Sequence, residues 1–131
     1  MSNNPTAVYM ISGHGDLTLE EWLQHYRPEI DHALQQQAHF VVSDFRGADV
    51  LSQEYLKDKT PHVTLCHCFE KPRYRAETFN LPAKQWTIKS GFTSDEDRDV
   101  WMTANSTADI AWVREGREKS GTAKNLARRK M

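Results

Sequence analysis

Cysteine is scarce in this chain, confined to Cys66 and Cys68. On a strand these two would point to one face and His67 to the other, so a disulfide framework is not expected. His62, Cys66, His67 and Cys68 do not make a closed zinc site either, because alternation sets His67 apart from the thiols and no second cysteine pair completes it. No metal and no cofactor is expected. Long apolar runs are also missing: none approaches the roughly 20 residues that span a bilayer. The opening MSNNPTAVYMISG lacks the basic region of a secretory signal, so the expected location is cytoplasmic, without a membrane partner. Neither sign of charge dominates. The formal net charge of -1 gives no general attraction to nucleic acid, and the locally basic Lys124 to Lys130 reads as a solvated helix end more readily than as a phosphate clamp.

What remains is the composition of an ordinary globular protein. With 131 residues, 38% hydrophobic and 27% charged, the chain suits a single domain over residues 1–131. A mean hydropathy of -0.74 reflects a well-solvated surface.

Ala7 to Ile11 (AVYMI) reads as a buried strand running into a glycine turn. Thr18 followed by Glu21 forms a capping-box pattern. Apolar residues then recur at helical spacing from Leu19 to Leu34, with a kink or restart expected at Pro28. His39 to Ser43 is a second strand, Ala48 to Lys57 a helix, and His62 to Phe69 a third strand. Glu70 to Ala83, with two prolines and no period, reads as a surface excursion with room for a lid. Ser94 to Ala104 opens with a cap and an acidic turn, Asp109 to Val113 is a late strand, and Gly121 to Arg129 is the terminal helix. Successive βα units whose strands are apolar on both faces predict an α/β fold, a mostly parallel sheet covered by helices.

In such a sheet ligands bind beyond the carboxyl ends of the strands. Three loops fall there: SGHGD after the first strand, SDFRGAD (Ser43 to Asp49) after the second, and REGREKSGT after the last. Each has glycine near a helix start, where backbone amides can approach an anion. In SDFRGAD, Gly47 would be the approach point, Arg46 a charge partner and Asp49 a first-turn acceptor. The same residues also fit a plain strand-to-helix turn in which Asp49 only stabilises its helix. Ser120, Gly121 and Thr122 offer either a phosphate site or an ordinary N-cap, with Asn125 one turn further on. His14 is placed to act as a base or donor, or is simply an exposed turn residue. Of Asp95, Glu96, Asp97 and Asp99, most read as helix-dipole partners and at most one as a general base or ribose ligand. Trp22, Tyr26, Trp86, Trp101 and Trp112 read as core or interface.

VYMISGHGDLT, FVVSDFRGADVLSQEYL and ADIAWVREGREKSGTAKNLARR, in this order, resemble the SLOG superfamily of Rossmann-like nucleotide-binding domains. The likeness is to small bacterial stand-alone members with a GGARGAD-type loop. It covers most of the chain outside Glu70 to Ala83 and implies a three-layer sandwich holding a nucleotide-derived ligand by its phosphates. It would assign Ser12, Gly13 and His14 to the first loop, Arg46, Gly47 and Asp49 to the second, and Ser120, Gly121 and Thr122 to the third. It also suggests a homo-oligomer. Related groups include the Lonely Guy phosphoribohydrolases and nucleoside deoxyribosyltransferase-like proteins. Two departures count. Ser43 and Asp44 stand where the family loop often has paired glycines, and Asp44 would repel an anion unless turned away. The PGGxGTxxE pattern is incomplete, with Ser120 before Gly121 and Asn125 in place of Glu.

The expected function is therefore nucleotide binding, as in a sensor. The first alternative is hydrolysis or transfer at an N-glycosidic bond, with a carboxylate from Asp95 to Asp99 or Asp49 stabilising the ribosyl cation or acting as nucleophile. The second is a structural or partner-binding protein whose glycine turns are only turns.

Overall fold

The computed structural model describes residues 6–76 and 86–131. In chain order the elements are β1 (Val8–Ile11), α1 (Leu19–His25), α2 (Arg27–Gln35), β2 (His39–Ser43), α3 (Ala48–Leu56) and β3 (Val63–Cys66). They continue with β4 (Thr87–Lys89), α4 (Asp95–Ala104), β5 (Ala108–Ile110) and α5 (Gly121–Arg129). The strands form one sheet in the order β4-β3-β2-β1-β5. Every neighbouring pair is parallel. The chain leaves β1 toward β2, β3 and β4, then returns to the other side of β1 as β5, so the strand order reverses between β1 and β5. Such a reversal opens a crevice at the carboxyl ends of the two strands.

Alternation along the strands divides the core in two. Ile11, Phe40, Val42, Val63, Leu65 and Ile110 face a large cluster that includes Trp22, Tyr26, Ile30 and Leu56 from α1, α2 and α3. Met10, Val41 and Cys66 face a smaller one with Met102 of α4. Apolar side chains on both faces are what a parallel strand covered by helices requires. Capping fixes the helix starts. Thr18 and Glu21 form the reciprocal capping box of α1, Pro28 restarts the helix as α2, and Ser94 and Ser120 cap α4 and α5 through Asp97 N–H and Ala123 N–H.

Two strands are shorter than their sequence predicts. The late strand, expected over Asp109 to Val113, ends at Ile110 because the next backbone donors find side-chain acceptors instead of a neighbouring strand. Trp112 N–H donates to Tyr26 Oη at 3.1 Å and Arg114 N–H to His14 Nε2 at 2.9 Å. The third strand, expected to reach Phe69, ends at Cys66, and the chain turns outward. β4 is not expected at all: three residues with one apolar side chain, at the sheet edge, carry no readable alternation. Of the excursion, residues 70–76 are irregular and tied to the sheet, while residues 77–85 lie outside the described residues. Among the described residues no helix is long and apolar enough to cross a membrane.

Candidate functional site

The first loop is built around close approach. Gly13 packs its backbone against the Tyr26 phenol and Ala48, where a Cβ would collide with both. Tyr26, fully buried, donates its hydroxyl to Ser12 carbonyl at 2.8 Å and so joins α1 to the loop. His14 is not an exposed turn residue but only 2% exposed. Its Nε2 accepts from Arg114 N–H, which assigns the ring hydrogen to Nδ1. Burial, then the charges of Arg117 and Arg114, lower its pKa and keep it neutral.

The second loop is closed by bonds within it and to Arg73, Gln53 and the first loop. Asp49 Oδ2 accepts from Ser43 Oγ and, at 3.1 Å, from Phe45 N–H. Gly47 adopts φ 73, and its Cα lies against the His14 carbonyl and the Gly15 backbone, leaving no room for a side chain. The first amide of α3, that of Ala48, donates to His14 carbonyl at 3.2 Å. Asp44 is turned away from any anion: it receives Arg73 N–H at 2.6 Å and the Arg73 guanidinium at 2.8 and 3.2 Å. Burial alone would raise its pKa, but these bonds and the charge of Arg73 outweigh it and hold the carboxyl below its ordinary value. Gln53 completes the seam by donating to Ser43 carbonyl and accepting from Ala76 N–H, both at 3.0 Å.

The third loop differs. Ser120 Oγ caps α5 by accepting from Ala123 N–H at 3.2 Å, as an N-cap should. Among the described residues, no acceptor meets the amides of Gly121 and Thr122, the first two of the helix. Both residues line a cavity of about 230 Å³. Ser12, Gly13, His14, Asp49 and Ser120 line it too, so the three loops meet there. Arg46 and Gly47 do not. Gly47 serves loop-to-loop packing, and Arg46 is exposed, its guanidinium 5.3 Å from the Phe45 ring centre.

The opposite wall comes from α4. Arg98, 5% exposed, donates to Asp95 at 2.9 Å and to Asp99 at 2.9 and 3.1 Å, and lies 3.7 Å from Asp44. Asp99 also accepts from Asn125 Nδ2 at 3.2 Å, which links α4 to α5 and places Asn125 in the cavity wall. Of the α4 carboxylates only Asp95 and Asp99 reach the cavity, and Asp97 is bound to Thr93 and the helix start. Arg98 is absent from the sequence expectations, although Asp95 and Arg98 are spaced i, i+3 and Asp99 adjoins them. Exposed Phe45 and Arg117, at the mouth, line the cavity as well without having been singled out, as do Met10, Ile11, Gly15 and Met102.

Two lining groups are unusual. Ser12 Oγ is buried with no hydrogen-bond partner, in a residue 8% exposed. Buried hydroxyls rarely stand alone, and one that does in a cavity wall asks for a ligand atom. Asp49 is pushed up to about 7 by burial, against the opposing Ser43 bond and the charge of Arg98. A carboxyl that holds its proton near neutrality can donate as well as accept.

Of the tryptophans, Trp22 and Trp86 are core, and Trp101 and Trp112 are half-buried beside it. Cys66 and Cys68 are free thiols. No three His, Cys, Asp or Glu among the described residues gather as a metal site. Fold and cavity together define a Rossmann-like α/β protein with a polar crevice at the reversal of a parallel sheet. The chain matches no family model, no curated protein and no solved structure with which it was compared.

Proposed function

We propose that this protein binds a nucleotide or nucleotide-derived ligand, with its phosphate at the start of α5. One observation carries the reading: the unpartnered Ser12 hydroxyl shares a cavity with the unbonded amides of Gly121 and Thr122. A helix start concentrates partial positive charge, and two free amides with a hydroxyl form a cradle for phosphate oxygens. Arg117 at the mouth adds a full charge, its ion pair among the described residues being with Asp16 at 3.5 Å. The order of the three loops, in its resemblance to the SLOG superfamily, supports the same ligand class. Thermal unfolding with a panel of nucleoside mono-, di- and triphosphates tests it. A ligand at a hundred times its dissociation constant adds about 2.7 kcal/mol to the stability of the folded state, and a panel that leaves the melting temperature unmoved overturns the proposal.

A second reading, cleavage or transfer at an N-glycosidic bond, is favoured by Asp49. Its position in the wall, with a pKa pushed up to about 7, suits a proton donor to a departing base. Asp99 is the carboxylate across the cavity that could face a ribosyl cation. Incubation with nucleoside monophosphates followed by chromatography detects the free base. If none forms, this second reading falls.

A further inference from the structure

Around the Phe45 ring, in the cavity wall, gathers an array of planar groups. Phe45 lines the cavity yet is 38% exposed, and Phe69 beside it is 57% exposed. The Arg73 guanidinium lies between them, 5.2 Å from the Phe45 ring centre and 5.4 Å from that of Phe69. Arg46 lies 5.3 Å from the Phe45 centre. The two arginines are held differently. Arg73 is fixed by Asp44, whereas Arg46 has no carboxylate within ion-pair distance among the described residues and is itself exposed. The Phe45 ring therefore has one anchored cationic neighbour and one that can leave.

The cavity itself is small. Its volume of about 230 Å³ is below the roughly 300–1,000 Å³ that encloses a drug-sized ligand, a class that includes whole nucleotides. Its walls set hydroxyls, amides, carboxylates and Arg98 beside the buried side chains of Met10, Ile11 and Met102, and the space is enough for a phosphate and a sugar but not for a base as well. A nucleotide with its phosphate at α5 must leave part of itself outside, where Phe45 stands.

We propose that Phe45 is the stacking platform for the base of the ligand, with the base taking the place of Arg46 on the ring. This subsite rests on the nucleotide reading and adds a second half to it: phosphate and sugar inside, base on the rim. Stacking accepts any base face, so the platform supplies affinity for an aromatic ring with little choice among bases. Arg73 behind the ring, held by Asp44, fixes its plane.

The test compares nucleoside 5′-monophosphates with ribose 5-phosphate, which lacks the base, on the wild type, Phe45→Leu and Phe45→Trp by calorimetry. Leucine keeps an apolar side chain of similar size and removes the ring. The expected result is that Phe45→Leu weakens nucleotide binding about tenfold, a typical stacking contribution, leaves ribose 5-phosphate unchanged, and that Phe45→Trp retains nucleotide affinity. Equal loss for both ligands in Phe45→Leu would mean a loop held by the residue, not a platform, and overturns the subsite. Unchanged nucleotide affinity, or wild-type protein that binds ribose 5-phosphate as tightly as the nucleotides, overturns it too while leaving phosphate binding intact. Wild-type protein that binds neither class removes the nucleotide reading and the subsite together.

Discussion

Two helix starts on this sheet carry glycine loops of similar composition, yet they are built for different ends. At α3 the loop's carboxylates and first amide are occupied: Asp49 takes Ser43 and Phe45, Asp44 takes Arg73, and the Ala48 amide takes the His14 carbonyl. At α5 the loop has one internal bond, the Ser120 cap, and the amides of Gly121 and Thr122 stay open toward a cavity. Unbonded first-turn amides do not separate the two, since those of Asp49 and Val50 also lack an acceptor among the described residues. What marks α5 is that Gly121 and Thr122 both line the cavity beside an unpartnered hydroxyl. SDFRGAD holds the frame of the site and offers Phe45 at its rim, and SGT faces the cavity with its amides.

The comparison breaks most readily at Asp44. Its side chain is fully buried against Arg73 and near Arg98, so Asp44→Ala takes the acceptor from Arg73 N–H and two bonds from the Arg73 guanidinium, which keeps Asp95 at 3.2 Å. We expect a loss of about 3 kcal/mol, measured by urea denaturation, because three hydrogen bonds to a buried charged group are lost at once. A loss below about 1 kcal/mol would place this loop among ordinary surface turns.

Asp49 gives the next largest effect, and its sign is specific. Its folded pKa, about 7, lies above the ordinary value of 3.8, so the unfolded chain releases the proton first as pH rises. Stability is complete below the ordinary value and is lost as pH climbs through the window between the two. The slope reaches at most about 1.4 kcal/mol per pH unit from this group. Asp49→Asn keeps an acceptor for Ser43 and Phe45 and removes the titration, so its stability profile is expected to be flatter between pH 4 and pH 7. Parallel profiles for variant and wild type would show that Asp49 is ionised in the fold.

These pairings also explain how far the sequence could be read. β2 and α5 have the bounds that alternation, capping and helical period predict, and the restart at Pro28 follows from ring sterics. Local rules decide such features. The parallel sheet was legible because its central strands are apolar on both faces. β4 was not, since its pairing with β3 comes from register across the sheet and not from its own three residues. The loops where ligand chemistry could sit were legible from glycine and strand order. Which loop stays open was not, because it depends on partners far along the chain: Arg73 for Asp44, Arg114 for His14, Asp99 for Asn125.

The open loop is sharpened by a pair of serines. Ser120→Ala removes the α5 cap and should lower stability by about 1 kcal/mol. It should leave phosphate affinity nearly intact, because the amides that face the cavity belong to Gly121 and Thr122. Ser12→Ala should do the reverse. Its hydroxyl has no partner to lose, so stability stays within about 0.5 kcal/mol or rises as an unsatisfied buried group is removed. Nucleotide affinity should fall roughly tenfold, the loss of one hydrogen bond to a charged oxygen. Differential scanning calorimetry and titration on the same two variants read both quantities. A Ser12 variant that is destabilised while binding is unaffected would make that hydroxyl part of the scaffold, and the division between a closed loop and an open one would no longer hold.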